Sequence, residues 1–177
     1  NTHEHIRGTD AVALQKELAG FFKSGDRVIV EIAAGNAQFS LELARRNPKN
    51  VYLAIDIKSD RLYSSAKQAL EEGVENIRFL RMSLDQVETV LPASSVYELW
   101  LTFPDPFPKK KNQRKRLTYK TFLQQYRKII KDTGVLRFKT DARPLFLWSL
   151  EQLVADHWVL SELSFDLHES ELSDEYK

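Results

Sequence analysis

Asp105 stands between two prolines in the run Leu99-Trp100-Leu101-Thr102-Phe103-Pro104-Asp105-Pro106-Phe107-Pro108-Lys109-Lys110-Lys111. Proline fixes its own φ and pushes the residue before it out of the helical region, so this carboxylate sits between stiff joints. A carboxylate held in that way is an aimed acceptor, suited to orienting N–H groups or to stabilising positive charge. From Lys109 to Lys120 the chain has seven Lys/Arg and no acid, which calls for an anionic partner beside it. Three further acids, Glu31, Asp56 and Asp141, each close a short apolar run. The plain alternatives are turn or strand-end acids that only meet solvent, and a basic run that is only a solvated face.

Those side chains need a frame. The 177 residues suffice for one well-packed domain and are few for two. With 42% hydrophobic and 29% charged residues the chain reads as soluble and globular. No apolar run approaches a membrane span and no signal-peptide pattern opens the sequence. The absence of cysteine excludes disulfides and thiolate metal sites and fits a reducing compartment. A cytoplasmic protein without a membrane or metal partner is expected, as a monomer or homodimer. The net charge is +1, and subtracting the seven cations of the 109–120 tract leaves −6 for the remainder. Positive charge is thus concentrated in one segment of an acidic body.

The opening Asn1 to Gly8 lacks a starting Met and is read as a frayed beginning inside a longer product; a metal site at His3 and His5 is the weaker reading. Ala11 to Phe22 has the apolar spacing of a short helix, followed by a turn at Ser24-Gly25-Asp26. The runs Val28–Ile32, Val51–Asp56, Asn76–Met82, Val96–Phe103 and Gly134–Asp141 read as buried strands, with a sixth expected at Trp158–Leu167. Helices are expected from Phe39 to near Asn47-Pro48, from a Ser59 cap to Gly73, from a Thr118 cap through Ile130, and over Pro144–Val154. A short helical turn opens at Ser83 with capping-box spacing. Trp100, Trp148 and Trp158 read as core.

Alternating β and α units with near-continuous apolar strands imply a mostly parallel central sheet covered on both faces, a three-layer αβα Rossmann-like fold. In an open sheet of this kind ligands bind outside the carboxyl ends of the strands. Glu31, Asp56, Asp105 and Asp141 all fall there. Four acids on one rim suit a ligand carrying hydroxyls, amino groups or positive charge. The first turn, Ala33-Ala34-Gly35-Asn36, is neither a Gly-x-Gly-x-x-Gly fingerprint nor a Gly-Lys-Ser/Thr phosphate cradle, which leaves a nicotinamide oxidoreductase a distant reading.

From about Val28 to Leu172 the pattern resembles the bacterial tRNA (guanine-N7-)-methyltransferase family, which has the class I methyltransferase fold and uses S-adenosylmethionine. Glu31-Ile32-Ala33-Ala34-Gly35 is similar to that family's Glu-x-Gly-x-Gly cofactor turn, and Asp56 takes the place of its ribose-binding acid. Phe103 to Lys110 is similar to its Asp-Pro-Trp-x-Lys segment, Lys115-Arg116-Leu117 to its Arg-Arg-Leu/Ile, and Phe138-Lys139-Thr140-Asp141 to its substrate-contacting Thr-Asp. The resemblance implies a single methyltransferase domain over 1–177, shortened at its C-terminus because the closing Thr-x-x-Glu motif is not seen before Lys177. It implies a cofactor site of Glu31, Gly35, Asp56, Ser83 and Asp105, with Ser83 in place of an acid that holds the adenine amino group. It further implies that Asp105 orients guanine and stabilises the charge developing on it. Lys109, Lys110, Arg114, Lys115 and Arg116 would grip tRNA phosphates, with Lys109 the first choice for contacting the target nucleotide, Phe107 would stack on the flipped base, and Asp141 would hold the guanine or its ribose. Ala33 and Ala37 stand where the family has Gly, and Asn36 replaces Lys or Met. That difference keeps open a non-catalytic RNA-binding relative, and a methyltransferase acting on another acceptor remains a second alternative. For Phe107 and Asp141 a turn aromatic and a helix cap are the plain readings.

Overall fold

The computed structural model describes residues 3–5, 11–23 and 25–172, with backbone alone for 3–5 and 11. Ser24 of the expected turn and the closing residues 173–177 lie outside the described residues. In chain order the elements are β1 (His3–His5), α1 (Ala11–Phe21), β2 (Val28–Ile32), α2 (Gln38–Arg46), β3 (Val51–Asp56) and α3 (Ser59–Glu71). These are followed by β4 (Ile77–Arg81), a 3-10 turn (Leu84–Gln86), α4 (Val87–Val90) and β5 (Val96–Thr102). A second 3-10 turn (Lys110–Lys115), α5 (Lys120–Ile129), β6 (Ile130–Lys139) and α6 (Arg143–Ala155) complete the fold. Where the sequence suggested a frayed beginning, His3–His5 pairs with β4 as a short edge strand. Among the described residues no helix is long and apolar enough to cross a membrane.

The sheet order is β1-β4-β3-β2-β5-β6, and every pairing is parallel. From β2 the chain winds outward through β3 and β4, then returns to lay β5 on the other side of β2. The crossover direction reverses between β2 and β5, the topological position at which open parallel sheets bind their ligands. Ile32 lies opposite both Ile55 and Leu101, so the carboxyl ends of β2, β3 and β5 are level.

The β-branched runs that build β2 and β3 are buried at every position. Alternate side chains enter different cores. Val28, Val30, Ile32, Leu53 and Ile55 pack with Leu14, Leu18, Val87, Leu123, Tyr126 and Leu153 from α1, α4, α5 and α6. Ile29, Tyr52, Ala54 and Trp100 pack on the opposite face with Leu41, Ala44, Leu62 and Ala66 from α2 and α3. Three layers follow from this two-residue period.

The sequence and the structure part in a few places. Trp158–Leu167 is not a strand, and among the described residues β6 is the sheet's edge. Polar side chains there bond locally: the Ser164 hydroxyl donates to the Asp166 carbonyl at 2.7 Å, and Asp166 Oδ1 accepts the amides of His168 and Glu169. Such local bonds compete with a ladder. Thr118 does not cap α5; it shares a 2.6 Å hydrogen bond with the Ser149 hydroxyl, and Tyr119 takes the cap position. Ser59 is the first helical residue of α3, with Lys58 as the cap. Of the three tryptophans only Trp100 is buried; Trp148 and Trp158 are half-buried, beneath Arg116 and Arg127.

β6 begins earlier than expected, at Ile130, and its register shifts between Val96 and Glu98. Gly134 makes the shift possible. A Cβ there would stand 2.7 Å from Ile130 Cγ2 and 2.8 Å from the Tyr97 carbonyl oxygen, which is inside contact distance.

Candidate active site

The rim is built first from the turn between β2 and α2. Ala33, Gly35 and Ala37 all have left-handed backbones, with φ of 56°, 57° and 56°. Three such residues in five reverse the chain tightly, so that the Ala34 amide reaches the Ile55 carbonyl at 3.0 Å and the Ala37 amide the Ala34 carbonyl at 2.7 Å. A Cβ added at Gly35 would meet nothing within 4 Å, so this backbone faces open space. The two alanine methyls go elsewhere. Ala37 is 0% exposed in the core beneath α2, and Ala33 packs against the opposite core. Neither fills the space above Gly35.

Asp56, at the end of β3, is tied to that turn. Its Oδ2 accepts the Gly35 amide and its Oδ1 the Lys58 amide, both at 2.9 Å. Each carboxylate oxygen keeps a second lone pair for a donor such as a hydroxyl. Ser83, half-buried beyond β4, lies with its hydroxyl 3.3 Å from Asp85 Oδ2. Open backbone at Gly35, spare acceptor capacity on Asp56 and the Ser83 hydroxyl fit the adenosyl part of S-adenosylmethionine.

Glu31 is placed differently. It is 1% exposed, and it accepts the Ser40 hydroxyl at 2.5 Å and the Thr102 hydroxyl. Burial raises its pKa above the usual carboxylate range, opposed by those two hydroxyls and by the charge of Lys139. Lys139, at the end of β6, is half-buried with its ammonium 3.9 Å from the centre of the Phe39 ring. The Trp100 and Phe103 rings lie further out, at 5.7 and 5.6 Å. Desolvation lowers the Lys139 pKa while Glu31 works to raise it. Ser40, Thr102 and Lys139 are site-building residues that sequence reasoning did not single out. The available signal was one small polar residue, Ser40, on the otherwise apolar face of α2.

β5 delivers the proline-rich turn. Phe103 and Phe107 have φ of 47° and 41°, on either side of Asp105. The Phe103 amide donates to the Lys139 carbonyl at 2.9 Å, which fastens the turn to β6. Pro104 is buried, whereas Asp105 is exposed on the rim. The side chain of Arg116 returns to this turn: Nε donates to the Pro106 carbonyl at 3.2 Å and Nη2 to the Phe107 carbonyl at 3.1 Å. Lys109 caps the 3-10 turn that carries Lys110, Lys111, Arg114 and Lys115, and all five cations are exposed. Asp141 is exposed just beyond β6, at the approach to α6, while Thr140 Oγ1 accepts the Ala142 amide at 3.1 Å. A cleft of about 350 Å³ lies against β6, with Lys139, Thr140, Asp141 and Arg143 in its wall.

The structure therefore joins Gly35 to Asp56, Glu31 to Thr102, and Arg116 to the Asp105 turn. Asp141 follows the end of β6, and the exposed cations follow the Asp105 turn in the chain.

Residues 26–175 match the family described as putative methyltransferase. The tRNA (guanine-N(7)-)-methyltransferase of Christiangramia forsetii is 36% identical over 153 residues, which cover 86% of this chain and 68% of the relative. The Bacteroides thetaiotaomicron protein of the same name is 33% identical, covering 88% of this chain and 61% of the relative. The Bacillus velezensis protein of that name is 31% identical, covering 85% and 69%. The chain thus spans between about six-tenths and seven-tenths of these relatives' lengths. Among solved structures, an antibiotic-related methyltransferase superposes with a TM-score of 0.68 at 14% identity, covering 97% of this chain and 89% of that one. A 16S rRNA (adenine(1408)-N(1))-methyltransferase from Catenulisporales acidiphilia, solved with cosubstrate SAM, gives 0.62 at 15% identity, covering 98% and 86%. At such identities the likeness concerns the fold.

Proposed function

The chain belongs to the tRNA (guanine-N(7)-)-methyltransferase family, and on that premise we propose that it methylates N7 of a guanine in tRNA, with S-adenosylmethionine as the methyl donor. The observation that carries this reading is the placement of Asp105. An exposed carboxylate follows the end of β5, at the carboxyl edge of the sheet, in a turn stiffened by three prolines, and an exposed basic turn follows at once.

When bound, S-adenosylmethionine supplies an electrophilic methyl group. Asp56 would accept hydrogen bonds from its ribose, the backbone at Gly35 would line its path, and Ser83 would meet the adenine amino group. Glu31 supports this site from beneath, through Ser40 and Thr102, as one part of the cofactor floor.

Guanine N7 offers an in-plane lone pair and carries no proton, so no general base is needed. What remains for the protein is alignment and electrostatics. Asp105 accepts hydrogen bonds from the N–H groups of the base, fixes its orientation and stabilises the positive charge that the ring acquires. Phe107 offers a stacking face, and Asp141 holds the guanine or its ribose from the β6 side. Lys109, Lys110, Arg114 and Lys115 bind phosphates, whereas Arg116, at the end of the same tract, has its guanidinium turned to the Pro106 and Phe107 carbonyls instead. The target is a variable-loop guanine, and work on tRNA puts the protein in the cytoplasm, as a monomer or homodimer.

The reading is tested by incubating the chain with S-adenosylmethionine and unmodified tRNA, digesting the RNA and identifying nucleosides by mass spectrometry. 7-Methylguanosine is the expected product. Methylation of a different atom, or none at all, overturns it.

A further inference from the structure

The turn that presents Asp105 is costly to hold. Phe103 and Phe107 are bulky residues in the left-handed region, with φ of 47° and 41°, where a Cβ crowds the backbone. Pro104, Pro106 and Pro108 supply no amide hydrogens, so the turn has few bonds of its own with which to offset that strain. At its entry the Phe103 amide is bonded to Lys139. At its exit the bonds come from one side chain. Arg116 donates Nε to the Pro106 carbonyl and Nη2 to the Phe107 carbonyl, at 3.2 and 3.1 Å, while its guanidinium lies 4.4 Å from the centre of the Trp148 ring on α6.

The backbone of Arg116 is fixed as well. Its amide donates to the Gln113 carbonyl at 3.1 Å, and its carbonyl accepts the Tyr119 amide at 2.9 Å. The clamp is therefore anchored in the last residues of the basic 3-10 turn. Lys109, Lys110, Lys111, Arg114 and Lys115 are exposed, whereas Arg116 is half-buried with two donors and one face committed inward.

We infer that Arg116 is a positioning residue, which holds the Pro106–Phe107 backbone so that Asp105 keeps its aim and couples the basic turn to that carboxylate. This rests on the reading of Asp105 given above. Lysine cannot substitute, because a point charge on a flexible stem neither forks across two carbonyls nor stacks flat on an indole.

The test compares Arg116→Lys and Arg116→Ala with Lys115→Ala in the full chain. One readout is tRNA methylation across a salt series, and the other is the rate of trypsin cleavage after Lys109, Lys110 and Lys111, followed by mass spectrometry. Both Arg116 variants are expected to lose kcat, on the order of 100-fold, with KM for tRNA and its salt dependence unchanged. Lys115→Ala is expected to raise KM and to flatten the salt dependence. Cleavage at 109–111 is expected to be at least ~10-fold faster in both Arg116 variants, the low-energy openings of the turn being more populated. Wild-type kcat and cleavage in Arg116→Lys, or a Lys115-like salt response in Arg116→Ala, overturns the inference. Should Asp105→Asn turn over normally, the reading of Asp105 falls. The cleavage rates then decide the clamp alone: acceleration upholds it and wild-type rates overturn it.

Discussion

The Asp56 carboxylate accepts the Gly35 amide at 2.9 Å, and so ties the end of β3 to the left-handed turn that follows β2. The bond spans 21 residues of sequence and fixes the floor on which the methyl donor is proposed to lie. Asp56→Asn keeps the shape but replaces one acceptor oxygen by a donor, facing either the Gly35 or the Lys58 amide. The expected result is a loss of about 1–3 kcal/mol in stability and at least a ~10-fold weaker affinity for S-adenosylmethionine, read by urea titration and calorimetry.

Asp105 is exposed and makes no contribution to either core, so Asp105→Asn should leave stability within about 0.5 kcal/mol of wild type. Its effect should fall on chemistry. Removing the negative charge that is proposed to face the methylated ring is expected to lower kcat by roughly 10²–10³-fold, the scale of deleting one preorganised electrostatic partner. Steady-state kinetics beside a melting curve separates the two.

Glu31 ionises at a cost, because burial raises its pKa from the ordinary carboxylate value of 4.5. A carboxyl group whose folded pKa is raised binds its proton more tightly in the native state. Its stabilising share is thus complete below the unfolded pKa and is lost as the pH climbs through the folded value. In Glu31→Gln that share is absent. Relative to wild type, Glu31→Gln should gain stability as pH rises from 4.5 through the raised folded pKa and hold level above it, whatever the fixed cost of one missing acceptor for Ser40 or Thr102. Urea midpoints of both proteins from acid to neutral pH check the slope; parallel curves would rule it out.

The exposed cations act by displacing counterions. Replacing Lys109, Lys110 and Lys115 together by Ala should reduce the slope of log K against log salt for tRNA by about 0.7–0.9 for each phosphate that is no longer neutralised. Filter binding at several salt concentrations measures it. An unchanged slope would remove the tract from the interface.

Gly134→Ala forces a methyl to within 2.7 Å of Ile130 Cγ2 and 2.8 Å of the Tyr97 carbonyl oxygen. The backbone neighbour cannot yield as a side chain can, so a destabilisation of about 1–3 kcal/mol is expected. Denaturant unfolding provides the measurement.

By itself the sequence settled what local chemistry settles. The apolar runs Val28–Ile32, Val51–Asp56 and Val96–Phe103, separated by helical periods, implied parallel strands covered on both faces, and strands stand at Val28–Ile32, Val51–Asp56 and Val96–Thr102. Parallel strands bring their carboxyl ends to one edge. The prolines around Asp105 announced a stiff turn, and the cations after it an anionic partner. Tertiary structure decided which of those polar groups face outward. Glu31 turns away from solvent because Thr102, 71 residues on, and Ser40 on α2 offer it hydroxyls. Arg116 points back at its own turn because Trp148, on a helix reached only after β6, provides a surface for its guanidinium. Trp158–Leu167 is apolar enough for a strand, yet Ser164 and Asp166 satisfy nearby backbone groups locally. Periodicity reports the face a side chain prefers, whereas its hydrogen-bond partner depends on which distant element the fold brings alongside.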